Sequence, residues 1–207
     1  MHAKRIRALA LAAALVGWNG LVGPRIPSRL RPLIHGVLGA ALVAATDAPL
    51  GLRPPALWWG LRLGLAVAAP VALGVAASTA APRVRVAMAN RDLPRPQAPW
   101  LLVRIPIGTV WSEEAAFRAA LGTVAADAFG STVGRLVQSL AFGLSHIADA
   151  RGSNEPVIGT VLVTGVAGWI FALLRERSGS LAAPMLAHLA INEAGAVAAS
   201  AVQRRAG

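Results

Sequence analysis

Long apolar runs separated by short polar breaks fill this chain from one end to the other. A membrane-crossing helix needs about 20 mainly apolar residues, and segments near that length recur six or seven times. The first, Ala8 to Val22, follows Lys4, Arg5 and Arg7. It has the charged start and apolar middle of a signal peptide. Gly17, Trp18, Asn19 and Gly20 stand where a small-residue cleavage site belongs, so an uncleaved segment is expected, short for a full crossing. Leu33 to Thr46 is also short, carries His35, and suits a tilted or partial span. Leu57 to Ser78 is a full span, with Trp58 and Trp59 at an interfacial position.

Thr79 to Ala98 is the one long polar stretch, with Pro82, Pro94, Pro96 and four Arg. It divides an N-terminal region of membrane helices and basic linker, residues 1–98, from a C-terminal helix bundle, residues 99–207. The second region holds four further apolar segments: Trp100 to Leu121, Ser131 to Ala150, Pro156 to Leu174 and Leu181 to Val202. Their connections are short, so consecutive helices are expected as antiparallel neighbours. The fold class predicted is all-α, a polytopic membrane helix bundle of about six to eight helices. The expected location is the cell membrane, multi-pass. Internal repeats are absent from the pattern.

Composition sharpens this picture. Only 14% of the residues are charged, where a soluble domain carries roughly 25%. The net charge of +11 comes from twenty basic residues, all but Lys4 arginine, against nine acids. In a soluble protein that balance points to nucleic acid. Here most Arg flank apolar runs, where bilayer-edge charge belongs, and no aromatic-interleaved basic stripe accompanies them, so no nucleic-acid partner is expected. The Arg bias with abundant Ala and Gly resembles a high-GC bacterial coding sequence. If the first segment does not cross, most of the basic groups share one face and both termini fall in the cytoplasm; if it crosses, they divide. With no Cys in the chain, disulfides and thiolate metal sites are excluded.

Ionised side chains inside a membrane helix cost about 2.5–3.5 kcal/mol each on insertion scales and are usually functional. Few exist here. In WSEEAAFR, Glu114 and Arg118 lie four apart on one helical face and can pair. Glu113 is turned about 100° from Glu114 and must find its partner on another helix. His146 follows Phe142 by one turn, and His188 and Asn192 leave one face of the last helix. A short-looped bundle can bring these groups into one interior pocket.

The set suits hydrolysis. A carboxylate beside an imidazole can hold and deprotonate a water, while His and Asn donors can stabilise an oxyanion. Glu113, His146 and His188 can equally bind one Zn²⁺ with a fourth position open for water. No H-E-x-x-H pair is present, and no G-x-S-x-G elbow surrounds Ser112, Ser145 or Ser153.

Glu113-Glu114-x-x-x-Arg118, then Phe142-x-x-x-His146, then His188-x-x-x-Asn192, each on its own apolar helix, resembles the three motifs of the CAAX protease and bacteriocin-processing (CPBP, or Abi) family of intramembrane endopeptidases. Arg177 to His188, a polar turn and a Pro before the His, is similar to the family's approach to its last motif. The resemblance covers about Trp100 to Gly195. It implies that Glu113 is the water-activating base with His146 beside it, that His188 and Asn192 form the oxyanion hole, and that Glu114 and Arg118 are a supporting pair. It also implies a peptide or membrane-protein substrate reached from the lipid bilayer. A non-catalytic scaffold or bacteriocin immunity factor on the same fold is the alternative. A proton-relaying transporter is a more distant one, since no inverted repeat is visible.

Overall fold

A computed structural model describes residues 1–206, all of it helix and connecting turn, with no strand among the described residues. The helices are α1 (His2–Gly17), α2 (Arg31–Thr46), α3 (Ala56–Ser78), α4 (Pro82–Ala89), α5 (97–129), α6 (Ser131–Ser145), α7 (Ile147–Gly152), α8 (Val157–Ser178) and α9 (Ala182–Ala206). Backbone groups in hydrocarbon must be satisfied within the chain, which leaves helices as the solution for such apolar segments. Leu73, Leu102, Ile158 and Val163 are all at least 70% exposed, as lipid-facing side chains are. The protein is a multi-pass membrane helix bundle.

Several boundaries differ from those the sequence suggests. The first segment does not stop at Val22: α1 continues through a π turn, Trp18–Val22, and a 3-10 turn, Gly23–Arg25, to a helical span of 24 residues. Lys4, Arg5 and Arg7 lie within α1, so that its backbone hydrogen bonds continue through the basic start of the segment. The polar linker contains α4, started by Pro82 at its first position. The segment Ser131 to Ala150 breaks at His146, which separates α6 from α7.

The start of α1 and the end of α5 share one end of the bundle, where Lys4 Nζ lies 2.9 Å from Asp127 Oδ1. Arg175 Nη2 donates to Pro49 O there, at 2.9 Å. At the other end, Gln203 Nε2 donates to Arg91 O at 2.7 Å. The first and last helices therefore begin and finish at opposite ends, which corrects the arrangement with both termini on one face.

In lipid, helices associate through close packing of small residues more than through apolar burial. On α3, Gly60 and Gly64 form such a seam: a Cβ on Gly60 would lie 2.6 Å from Ser180 Cβ, and one on Gly64 would lie 3.0 Å from Ala183 Cα. This fixes α9, and with it His188, against the N-terminal helices. The two halves of the chain interlock in one bundle.

Candidate active site

The site grows from α5, whose winding widens to a π register over Trp100–Trp111 and again over Glu114–Leu121. Such widening is frequent at functional sites because it redirects side chains. Helix α2 approaches this stretch closely. A Cβ on Gly39 would meet Ala115 Cβ at 3.1 Å, and Trp111 Nε1 donates to Gly36 O at 3.1 Å. His35, next to Gly36, is thereby carried to the Glu113 side of α5.

Glu114 is wholly buried, with an ion pair on one oxygen and a hydrogen bond on the other. Oε2 lies 3.2 Å from Arg118 Nε, one helical turn on, and Oε1 accepts from His188 Nδ1 at 2.8 Å. Arg118 is equally buried and its guanidinium carbon sits 3.8 Å above the Phe142 ring, a cation–π contact that compensates lost hydration. The His188 ring stacks on Phe171 at 5.0 Å and meets Phe142 edge-on at 6.3 Å. Ring stacking fixes the plane of His188 and the Glu114 bond fixes its tautomer, as second-layer carboxylates do for functional imidazoles. The sequence suggested the Glu114–Arg118 pair; the bond from Glu114 to His188 spans 74 positions and no local spacing encodes it.

Glu113 faces the other way. Its Oε2 lies 3.8 Å from His188 Nε2, is itself shielded from solvent, and has no hydrogen-bond partner. The residue lines a cavity of about 400 Å³ together with Asn19, Arg31, His35, Arg104 and Asp149. A small adjoining void of about 20 Å³ is bounded by Glu113, His35 and Trp18. His35 Nε2 and Trp18 Nε1 are also buried without a partner. Sequence reasoning set His35 aside as part of a short N-terminal span. The signal available was an imidazole in an apolar helix, one turn after Arg31 and one turn before the close-packed Gly39.

The other two residues of the predicted set are placed nearby but differently. His146 Nδ1 donates to Phe142 O at 2.8 Å and its ring packs edge-on against Phe142 at 4.7 Å. Asn192 Nδ2 donates to His188 O at 3.1 Å, tying it to its own helix. The imidazole beside the Glu113 carboxylate is that of His188. Glu113, His146 and His188 do not gather around one point, and among the described residues no group of three His, Asp or Glu is placed to hold a metal ion. His188 has committed Nδ1 to Glu114, which leaves Nε2 facing Glu113 Oε2 at 3.8 Å.

The stretch holding all three motifs, 95–194, matches the family model described as Type II CAAX prenyl endopeptidase Rce1-like. Residues 95–194 are an Rce1-like domain. This is the family that the three motifs resemble, and the Rce1-like domain spans α5 to α9 as far as Glu193 and Ala194. It brings with it the fold of a CAAX-type intramembrane protease. No curated protein and no solved structure matches the chain.

Proposed function

We propose that this protein is an intramembrane endopeptidase that cleaves peptide bonds of membrane-associated substrates with a water activated by Glu113. The observation that carries the reading is the Glu113 carboxylate, shielded, unpartnered and set between a 400 Å³ cavity and His188. A buried carboxylate oxygen with no partner is costly unless a ligand or water uses it. The adjoining void of about 20 Å³ suits one water, which needs roughly 10–15 Å³ and two to four polar partners. Glu113, His35 and Trp18 supply them.

In this reading the water donates a proton to Glu113 as its oxygen attacks the scissile carbonyl carbon. The resulting oxyanion is met by the second amide hydrogen of Asn192 and, when His188 is in its imidazolium form, by Nε2–H, Nδ1–H being given to Glu114. His146 has its Nδ1 held by Phe142 O, which leaves Nε2 without a commitment in the site. Collapse of the intermediate breaks the C–N bond, and the proton on Glu113 passes to the departing amine. His35 holds the water and is a positioning residue. The cavity opens at the end of the bundle flanked by Arg25, Arg29, Arg31, Arg83, Arg85 and Arg91, which favours a cytoplasmic mouth. Residues 99–207 supply the reacting groups, and α1 and α2 close the water site. The cell membrane is the proposed location.

The test is incubation of the purified full chain in liposomes with an isotope-marked library of membrane peptides, beside the Glu113→Gln variant. Cleavage by the parent alone supports the protease. A folded parent that cleaves nothing, yet retains one peptide through purification, identifies the binding scaffold instead.

A further inference from the structure

A second cavity, of about 300 Å³, lies at the Lys4 end of the bundle, on the far side of Arg118 from the Glu113 cavity. Its wall includes Arg118, Arg135, Arg175, Gln138, Thr123 and Glu176, from α5, α6 and α8. The floor is sealed: Arg118 and Gln138 are each 1% exposed. Yet Arg118 Nη1, Arg118 Nη2 and Gln138 Nε2 have no hydrogen-bond partner. All three are donors. Leaving buried donors unmade costs about 1–3 kcal/mol each, more for charged ones, so a native structure is expected to fill them.

Charge points to what fills them. The cavity wall holds three guanidiniums and one carboxylate, Glu176, which Arg135 already grips through both oxygens at 3.0 and 2.7 Å. Arg175 has only neutral acceptors, Pro49 O at 2.9 Å and Thr123 Oγ1 at 3.3 Å. Glu114, already an ion-pair partner of Arg118 Nε and an acceptor from His188 Nδ1, offsets one guanidinium and accepts from neither Arg118 Nη1 nor Arg118 Nη2. Water would satisfy the donors but leave the charge. An anion satisfies both, through charge-assisted bonds roughly twice as strong as neutral ones.

We propose that this cavity binds a phosphate group, inorganic or carried by an anionic lipid, held by Arg118, Gln138 and Arg175. Donors arriving from three helices suit the several oxygens of a tetrahedral anion better than the two of a carboxylate. Arginine forks match phosphate geometry well. The rim residues Pro49, Ala126, Ser131 and Glu176 are exposed and lie at an end of the bundle, where lipid phosphates reside. The inference stands independently of the proposed peptidase activity.

The experiment uses the full chain purified in detergent and stripped of lipid. Its thermal unfolding is followed with sodium phosphate against sodium chloride at equal ionic strength, and with phosphatidic acid against diacylglycerol of the same acyl chains. Phosphate in one or both forms is expected to raise the midpoint by at least about 4 °C at saturating levels. Arg175→Gln and Gln138→Leu are expected to weaken that stabilisation at least tenfold. A shift with phosphatidic acid alone assigns a lipid headgroup, and a shift with both assigns the phosphate itself. No shift over chloride or diacylglycerol in the parent overturns the proposal, whether or not the variants fold. So does a shift that both variants retain.

Discussion

Glu113 and Glu114 are neighbours in the chain and belong to two different regions of the molecule. Around Glu114 the groups are sealed and the carboxylate is compensated: Arg118 below as an ion pair, His188 across as a hydrogen-bond donor, and the Phe142 and Phe171 rings packed over the guanidinium and the imidazole. Around Glu113 a cavity opens, and three polar atoms from α1, α2 and α5 stand without partners. The difference teaches that burying a charge serves two ends. A compensated carboxylate holds other groups still, whereas an uncompensated one keeps its capacity to take a proton.

The comparison breaks most readily at Glu113. Glu113→Gln is expected to lower turnover by about 10²–10⁴-fold, the range typical for a positioned general base. Its unfolding midpoint should match the parent's, because the lost oxygen had no protein partner to strand. A variant that keeps full turnover ends the assignment, and one that folds as poorly as a Glu114 variant erases the distinction between the two regions.

Glu114→Ala and Arg118→Ala probe the sealed region. Each strands a buried charge and is expected to cost about 3–5 kcal/mol, read as lost folded yield on size exclusion. Replacing both by apolar residues should recover part of the yield. Normal yield with abolished activity in Arg118→Ala would instead place Arg118 in the reaction.

Asn192→Ala touches the boundary between the regions. The loss of one neutral donor is expected to slow turnover by about 10²–10³-fold, leaving it faster than in Glu113→Gln. Equal residual rates in the two variants would contradict their separate roles. The smallest effect expected is none: a strong chelator should leave turnover unchanged, because Glu113, His146 and His188 do not converge as a ligand set. Inactivation by chelator, reversed by Zn²⁺, would show that the cavity around Glu113 is a metal centre.

Much of the fold was legible, and for a simple reason. Runs such as Leu57 to Ser78 are apolar on every face, and in a bilayer that alone dictates helix. The ends were less so: α1 reaches back to His2 and α6 stops at His146, because hydrogen-bond continuity and capping override a hydropathy boundary there. The motif residues stood out because polar groups are rare in such helices. Their partners did not. Nothing in WSEEAAFR tells which carboxylate will meet His188, since π winding of α5 and the glycine seam holding α9 jointly set that geometry.

By itself, the sequence determined that the chain is a bundle of membrane helices, that a few Glu, His, Asn and Arg are the polar groups within its apolar C-terminal helices, and that Glu114 can pair with Arg118. These follow from composition and from spacing within one helix, which local physics fixes. Only the tertiary structure decided that Glu114 orients His188, that Glu113 is left unpartnered beside a cavity, and that His35 joins it. It alone gathered three arginines and Gln138 around a second cavity. Contacts between helices depend on which small residues let two backbones approach, and that is a property of pairs of distant segments rather than of any one.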